Sequence, residues 1–218
     1  MKKAKVLTLT LCAVLLVTAS VIGTLAYLTS QDTVINTFTV GKVNIILDET
    51  DVTPDGKPID GADRVKENSY HLVPGNTYKK DPTVTVVKGS EESYVRMLVT
   101  VNCMKELDNA FSPETADLTT IFNGYDAINW VYKKVIRDAN TNTVTYEFRY
   151  KEKVSPNANE NTVLDALFDS ITVPSYFNSD DMSSLKDLKI TVIGHAIQAT
   201  GFDDADAAWT AFDNQING

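Results

Sequence analysis

Hydrophobic and polar positions alternate with a period of two along much of the chain. In residues 94–103, Val95, Met97, Val99, Val101 and Cys103 fall on one face, and Arg96, Thr100 and Asn102 fall on the other. Successive strand side chains point to opposite faces, so this pattern predicts a half-buried strand and makes Cys103 a core residue. Residues 83–87, 130–136, 143–150 and 188–193 alternate likewise and are rich in β-branched and aromatic residues, which suit a pleated, partly buried surface. Between two of these runs, residues 138–142 (Asp-Ala-Asn-Thr-Asn) predict a hairpin loop, because Asn and Asp tolerate turn dihedrals. His71 precedes Val73-Pro74-Gly75, a turn signal.

Helical spacing is rarer. Residues 203–216 open on carboxylates suited to capping and to the helix dipole, and bring Ala205, Trp209, Phe212 and Ile216 onto one stripe. A helix there closes the C-terminus by packing on a sheet. Residues 163–168 and 104–110 predict two further short helices. Many strands with few helices give an all-β fold class: an antiparallel jelly-roll or Greek-key sandwich with a few short helices, one of them C-terminal.

The first 26 residues read differently. Lys2, Lys3 and Lys5 precede an apolar run over residues 6–22 and a small-residue exit, Gly23-Thr24-Leu25-Ala26, the three-part layout of a secretory leader. Cleavage is expected between Ala26 and Tyr27. An uncleaved leader is the competing reading, since 17 residues is the lower limit of roughly 17 to 25 for a membrane span. Thr8, Thr10, Thr18 and Ser20 dilute the run, and no basic stop follows it. Residues 27–218 are read as a single sandwich domain. Membrane contact is expected only through the uncleaved leader.

Charge narrows the partners. The leader holds three of the 20 basic residues and none of the 29 acidic ones, so the mature chain carries a formal charge of −12. Such a chain is not expected to seek nucleic acid or anionic lipid. Cys103 is the only cysteine after the leader, which excludes an internal disulfide and fits a Gram-positive envelope.

Residues 48–69 look like an acidic insertion, with Pro54, Gly56 and Pro58 as turn-formers. Asp51, Asp55, Asp60 and Asp63 are candidate calcium ligands, because hard cations take carboxylate oxygens. A solvated acidic loop is the preferred reading, since the spacing matches no calcium-loop pattern. Asp203, Asp204 and Asp206 are read as an ordinary helix start. No cofactor is expected otherwise.

Signals for catalysis are few. His71 and His195 are the two histidines, and neither lies in an H-E-x-x-H arrangement. His195 is expected to face solvent or to end a strand. There is no G-x-S-x-G and no glycine-rich phosphate loop.

Several segments carry a family resemblance. Gly23-Thr-Leu-Ala-Tyr-Leu-Thr29, then Asn36-Thr-Phe-Thr-Val-Gly-Lys-Val-Asn-Ile45, resemble the start of exported proteins of the TasA and camelysin family, whose leader is processed by a dedicated signal peptidase of the SipW type. Leu72-Val-Pro-Gly75 with Lys80-Asp-Pro-Thr-Val-Thr-Val86, Ser93-Tyr-Val-Arg96, and Ala196-Ile-Gln-Ala-Thr-Gly-Phe-Asp203 with Ala208-Trp209 are similar to clostridial members. Residues 104–165 carry no such resemblance. It implies a jelly-roll subunit of extracellular fibres in a biofilm matrix, in which the N-terminal strand of one subunit completes the sheet of the next. The implied partners are the signal peptidase and further copies of the chain or sister subunits.

Residues 33–40 suit that role physically. Thr33, Val34, Asn36, Phe38 and Val40 belong to an alternating strand that can pair with an open sheet edge through main-chain hydrogen bonds, with Val34 and Phe38 filling pockets. An ordinary first strand tucked into its own sheet is the equal alternative. The resemblance also implies a rival class, a secreted or surface metallopeptidase, for which no zinc motif and no catalytic residue transfers. An adhesin-like binding module is a third class.

Overall fold

The computed structural model describes residues 41–217, which belong to one compact unit. The leader, the expected cleavage pair Ala26 and Tyr27, and the strand-donor residues Thr33, Val34, Asn36, Phe38 and Val40 lie outside the described residues.

The elements run β1 (Ile45–Asp48), β2 (Thr77–Lys79), β3 (Thr83–Val86), β4 (Ser93–Asn102), α1 (Met104–Phe111), α2 (Leu118–Ile121), β5 (Phe122–Asn123), β6 (Trp130–Asp138), β7 (Thr143–Tyr150), β8 (Thr162–Val163), β9 (Ser170–Thr172), α3 (Ser179–Ser184), β10 (Ile190–Gln198) and α4 (Ala205–Asn217). The fold is mostly β, with short helices. Its strands form three antiparallel sheets, in the orders β1-β3-β8, β10-β4-β7-β6 and β2-β9-β5.

The four-stranded sheet carries the core. Val95, Met97, Val99 and Val101 of β4 are fully buried, as their alternation predicts. Their register partners are Ala196, Gly194, Val192 and Ile190 on β10, and Phe148, Tyr146 and Val144 stand opposite Met97, Val99 and Val101 on β7. Cross-strand neighbours on one face are the unit of sheet stabilisation, so these rows form one apolar layer. At Gly194 a side-chain carbon would stand 3.4 Å from both Ile45 Cδ1 and Val84 Cγ2. That closeness shows β1 and β3 packing face to face against β10.

Several expectations need correction. The strand read over residues 94–103 ends at Asn102, and Cys103 adopts a left-handed backbone (φ 55°) as the cap residue preceding α1. Cys103 is therefore half-buried at a strand-to-helix junction, packed against the core from its rim. β4 is not half-buried either: Arg96, placed by alternation on the outer face, is only 2% exposed, because α4 covers that face. Residues 163–168 form no helix. The Leu164 and Leu167 amides donate to Val84 O and Pro82 O, so this segment runs extended beside β3 while burying Leu164, Leu167 and Phe168.

β10 extends to Gln198, which places His195 inside the strand rather than at its end. α4 starts as predicted and buries Ala208 and Trp209, but Ile216, on the predicted stripe, is 57% exposed. The hairpin over residues 138–142 forms, with Asn142 at φ 54°. Its side-chain oxygen accepts the Lys105 amide (3.0 Å), and its amide donates to Glu106 (2.7 Å), so the hairpin also holds the start of α1.

Candidate functional site

β10 and β6, nine residues each, are the two edge strands of the four-stranded sheet, and β6 is the more exposed of them. β6 pairs with β7 on one side, and among the described residues no strand lies on its other side. Nine residues at about 3.4 Å each give an edge roughly 30 Å long. Val131, Tyr132, Val135 and Ile136 on this strand are 38 to 53% exposed. Register assigns Val131, Lys134 and Ile136 to the outer face, opposite Arg149, Glu147 and Thr145, and Tyr132, Val135 and Arg137 to the core side, opposite Phe148, Tyr146 and Val144.

The ends of β6 are anchored. Trp130 is buried and its indole N–H donates to Asp165 O (2.9 Å), while Arg137 donates to Ala116 O (3.1 Å) and pairs with Asp108. Between them, the register shifts between Tyr132 and Lys134, so Lys133 is an extra residue with no partner position on β7. A bulge and neighbouring lysines are the devices by which natural edge strands avoid indiscriminate pairing. The edge is thus open but carries two features that oppose indiscriminate pairing.

The other half of the outer face is covered by α4 through a charged and aromatic cluster. The Arg96 guanidinium pairs with Asp213 of α4, lies 4.5 Å from the Trp209 ring and 5.0 Å from the Phe212 ring, and donates from Nε to His195 Nδ1 at 3.1 Å. His195 stacks on Phe212 at 4.7 Å between centroids. Beneath them, Glu147 is 1% exposed and accepts from Arg149 (2.7 Å) and meets Lys134 (3.1 Å) and Arg96 (3.8 Å). Arg149 and Lys133 also reach Asp206 in the first turn of α4.

Charge states follow from these contacts. Burial acts to raise the Glu147 carboxyl, but the hydrogen bond from Arg149 and the ion pair with Lys134 outweigh it, and its pKa lies below the ordinary value. The hydrogen bond from Arg96 holds Asp213 low. Burial, with Arg96 alongside, lowers His195. The Trp209 indole N–H is buried with no acceptor among the described residues, a cost of about 1–3 kcal/mol for such a group.

The acidic insertion is structured by pairing within the chain. Glu49 bridges to Val65 and Val52 to Pro58. Arg64 donates to Asp48 (2.6 Å) and to Asp81 O (2.9 Å), Thr50 donates twice to Asp81, and Lys80 meets Glu49 at 2.7 Å in a buried pair. Asp48 and Glu49 thus serve as internal ion-pair partners. Asp51 is half-buried, and Asp55, Asp60 and Asp63 are exposed. Among the described residues no three His, Cys, Asp or Glu side chains are arranged to hold a metal ion. His71 is exposed, its amide donating to Pro54 O, while His195 lies in the cluster under α4.

An apolar cavity of about 40 Å³ sits between α1, α3 and β9, lined by residues including Leu107, Phe111, Phe177 and Leu185. A dry site that takes benzene measures about 150 Å³, so this one is a packing gap. No helix of the described residues is long and apolar enough to cross a membrane. Compared with known proteins, the chain matches no family model, no curated protein and no solved structure.

Arg96, Glu147 and the β6 edge are the features that sequence reasoning missed. A signal existed: a C-terminal helix with Trp209 and Phe212 on one stripe needs a sheet face to cover, and Arg96 lies in the strongest strand.

Proposed function

We propose that this chain is a secreted structural protein, a subunit of extracellular biofilm-matrix fibres, and that residues 33–40 of one copy add to the β6 edge of the next. The observation that carries this reading is the nine-residue β6 edge, with no strand beside it among the described residues and with apolar side chains on both faces. Strand addition draws affinity from main-chain hydrogen bonds and specificity from pockets for alternate side chains. The segment Thr33-Val-Ile-Asn-Thr-Phe-Thr-Val40 holds no charged residue, so it brings no like-charge repulsion to an edge bearing Lys133 and Lys134. Its eight residues match the nine of β6. Cleavage between Ala26 and Tyr27 leaves this segment near a new N-terminus, and a jelly-roll arrangement of the sandwich is part of the same proposal.

The test is assembly of residues 27–218. Protease-resistant filaments are expected, and both deletion of residues 27–41 and the double substitution Val131→Lys with Ile136→Lys are expected to abolish them. Filaments that grow unchanged in either variant sink the proposal. Chelator-sensitive cleavage of casein that vanishes in His71→Ala or His195→Ala points instead to a metallopeptidase, and a glycan-binding monomer to an adhesin.

A further inference from the structure

We propose that α4 is a pH-released cover over the outer face of the four-stranded sheet, with the Arg96–His195 hydrogen bond as its trigger. A guanidinium only donates hydrogen bonds and stays protonated throughout the accessible pH range. Arg96 Nε–H therefore meets His195 Nδ1 at 3.1 Å only while that nitrogen keeps its lone pair, that is, while the imidazole is neutral. In the protonated ring both nitrogens donate, so two N–H groups on two cations would face each other across the same gap.

Arg96 is also what seats the helix. Trp209 and Phe212 stack on its guanidinium, Asp213 pairs with it, and His195 itself stacks on Phe212. Displacing Arg96 from His195 therefore disturbs each of these contacts together. The buried indole N–H of Trp209, without an acceptor among the described residues, marks a seat that is tight in packing but incomplete in hydrogen bonding.

The charged groups around His195 act in both directions. Arg96 on β4 opposes its protonation. Asp213 on α4 and Glu147 on β7 favour it, but Asp213 is engaged by Arg96, and Glu147 by Arg149 of β7 and Lys134 of β6. Asp206, at the other end of α4, is held by Arg149 and Lys133 and keeps that end attached. Burial and Arg96 outweigh the carboxylates, so the seated His195 titrates below its ordinary value. A base depressed in the seated state favours seating above the free value, and that contribution is lost as pH falls through about 6.5 and on through the seated value. Asp213, held low by Arg96, stays ionised across this window. Release therefore begins at the C-terminal half of α4 and bares Tyr94, Arg96 and Ile197, in the rows next to the outer-face residues of β7.

Hydrogen exchange of the α4 amides in the full-length chain, compared with those of β4, reads this directly. Between pH 8 and pH 5 the protection factors of α4 are expected to fall roughly tenfold for each pH unit separating the free and seated values of His195, while those of β4 hold. His195→Gln supplies a side-chain oxygen that accepts from Arg96 at every pH, and its α4 protection is expected to be flat over the same range. A wild-type profile without the fall, or a His195→Gln profile that retains it, overturns the proposal. A His195→Gln chain with α4 loosened at all pH is judged by the same slope. Proton NMR titration of His195 gives an independent reading, and a pKa at or above the ordinary histidine value also overturns it.

Discussion

β4 and β6 lie in the same sheet and both read as strands from the sequence, yet their environments are opposite. β4 is buried on both faces, its apolar row in the core and Arg96 under Trp209 and Phe212 of α4, so that even its arginine is buried. β6 is exposed along nearly its whole length, with its ends anchored by Trp130 and Arg137. Period-two alternation reports that a segment can be a strand. It says nothing of where in the sheet the strand lies. The contrast also separates two kinds of charged residue: Arg96 and Glu147 are buried, whereas Lys133 and Lys134 reach inward to Asp206 and Glu147 from an exposed edge.

The contrast is sharpened first at the centre. Met97→Ala, at a fully buried site between Gly194 and Phe148, is expected to cost about 3–4 kcal/mol in urea unfolding. A cost below 1 kcal/mol would remove β4 from the core. Arg96→Ala is expected to cost about 3 kcal/mol, toward the lower end for a broken buried pair, because Glu147 keeps Arg149 and Lys134 and Asp213 is partly solvated. Its near-ultraviolet circular dichroism should lose the Trp209 contribution. Asn142→Ala, at the left-handed residue of the β6–β7 hairpin, is expected to cost about 1–2 kcal/mol through backbone strain and the lost contacts to α1. Ile136→Lys on β6 is expected to change stability by less than about 0.5 kcal/mol. A loss above 1 kcal/mol there would mean that the edge is covered.

The long strands and the hairpin were legible because each spans several periods. Val95, Met97, Val99 and Val101 share a face in any strand, and Asn142 suits a turn in any hairpin. The short strands were not. β5 and β8 have two residues each, a single period of alternation, and exist because β9 and β3 offer them hydrogen-bond partners. Residues 163–168 show the opposite failure, since the spacing of Leu164, Leu167 and Phe168 mimics a helix while the backbone runs extended beside β3. His195 was misplaced because β10 continues past Gly194, a residue that reads as a strand end but here admits Ile45 and Val84 at close range. The acidic insertion read as solvated carboxylates, which Asp55, Asp60 and Asp63 are, yet Arg64 draws Asp48 into a pair and Lys80, 31 positions away, does the same for Glu49.

By itself the sequence determined which segments become long strands, where the β6–β7 hairpin turns, and that a helix with an aromatic stripe closes the chain. These depend on dihedral preferences and on side-chain alternation within a few residues. Only the tertiary structure decided which strand lies at the centre and which at the edge, that Arg96 is sandwiched rather than solvated, and that His195 must be neutral to accept from it. Burial and charge pairing depend on which segments meet in space, and pairs such as Arg96 with Asp213, 117 positions apart, leave no trace in local periodicity.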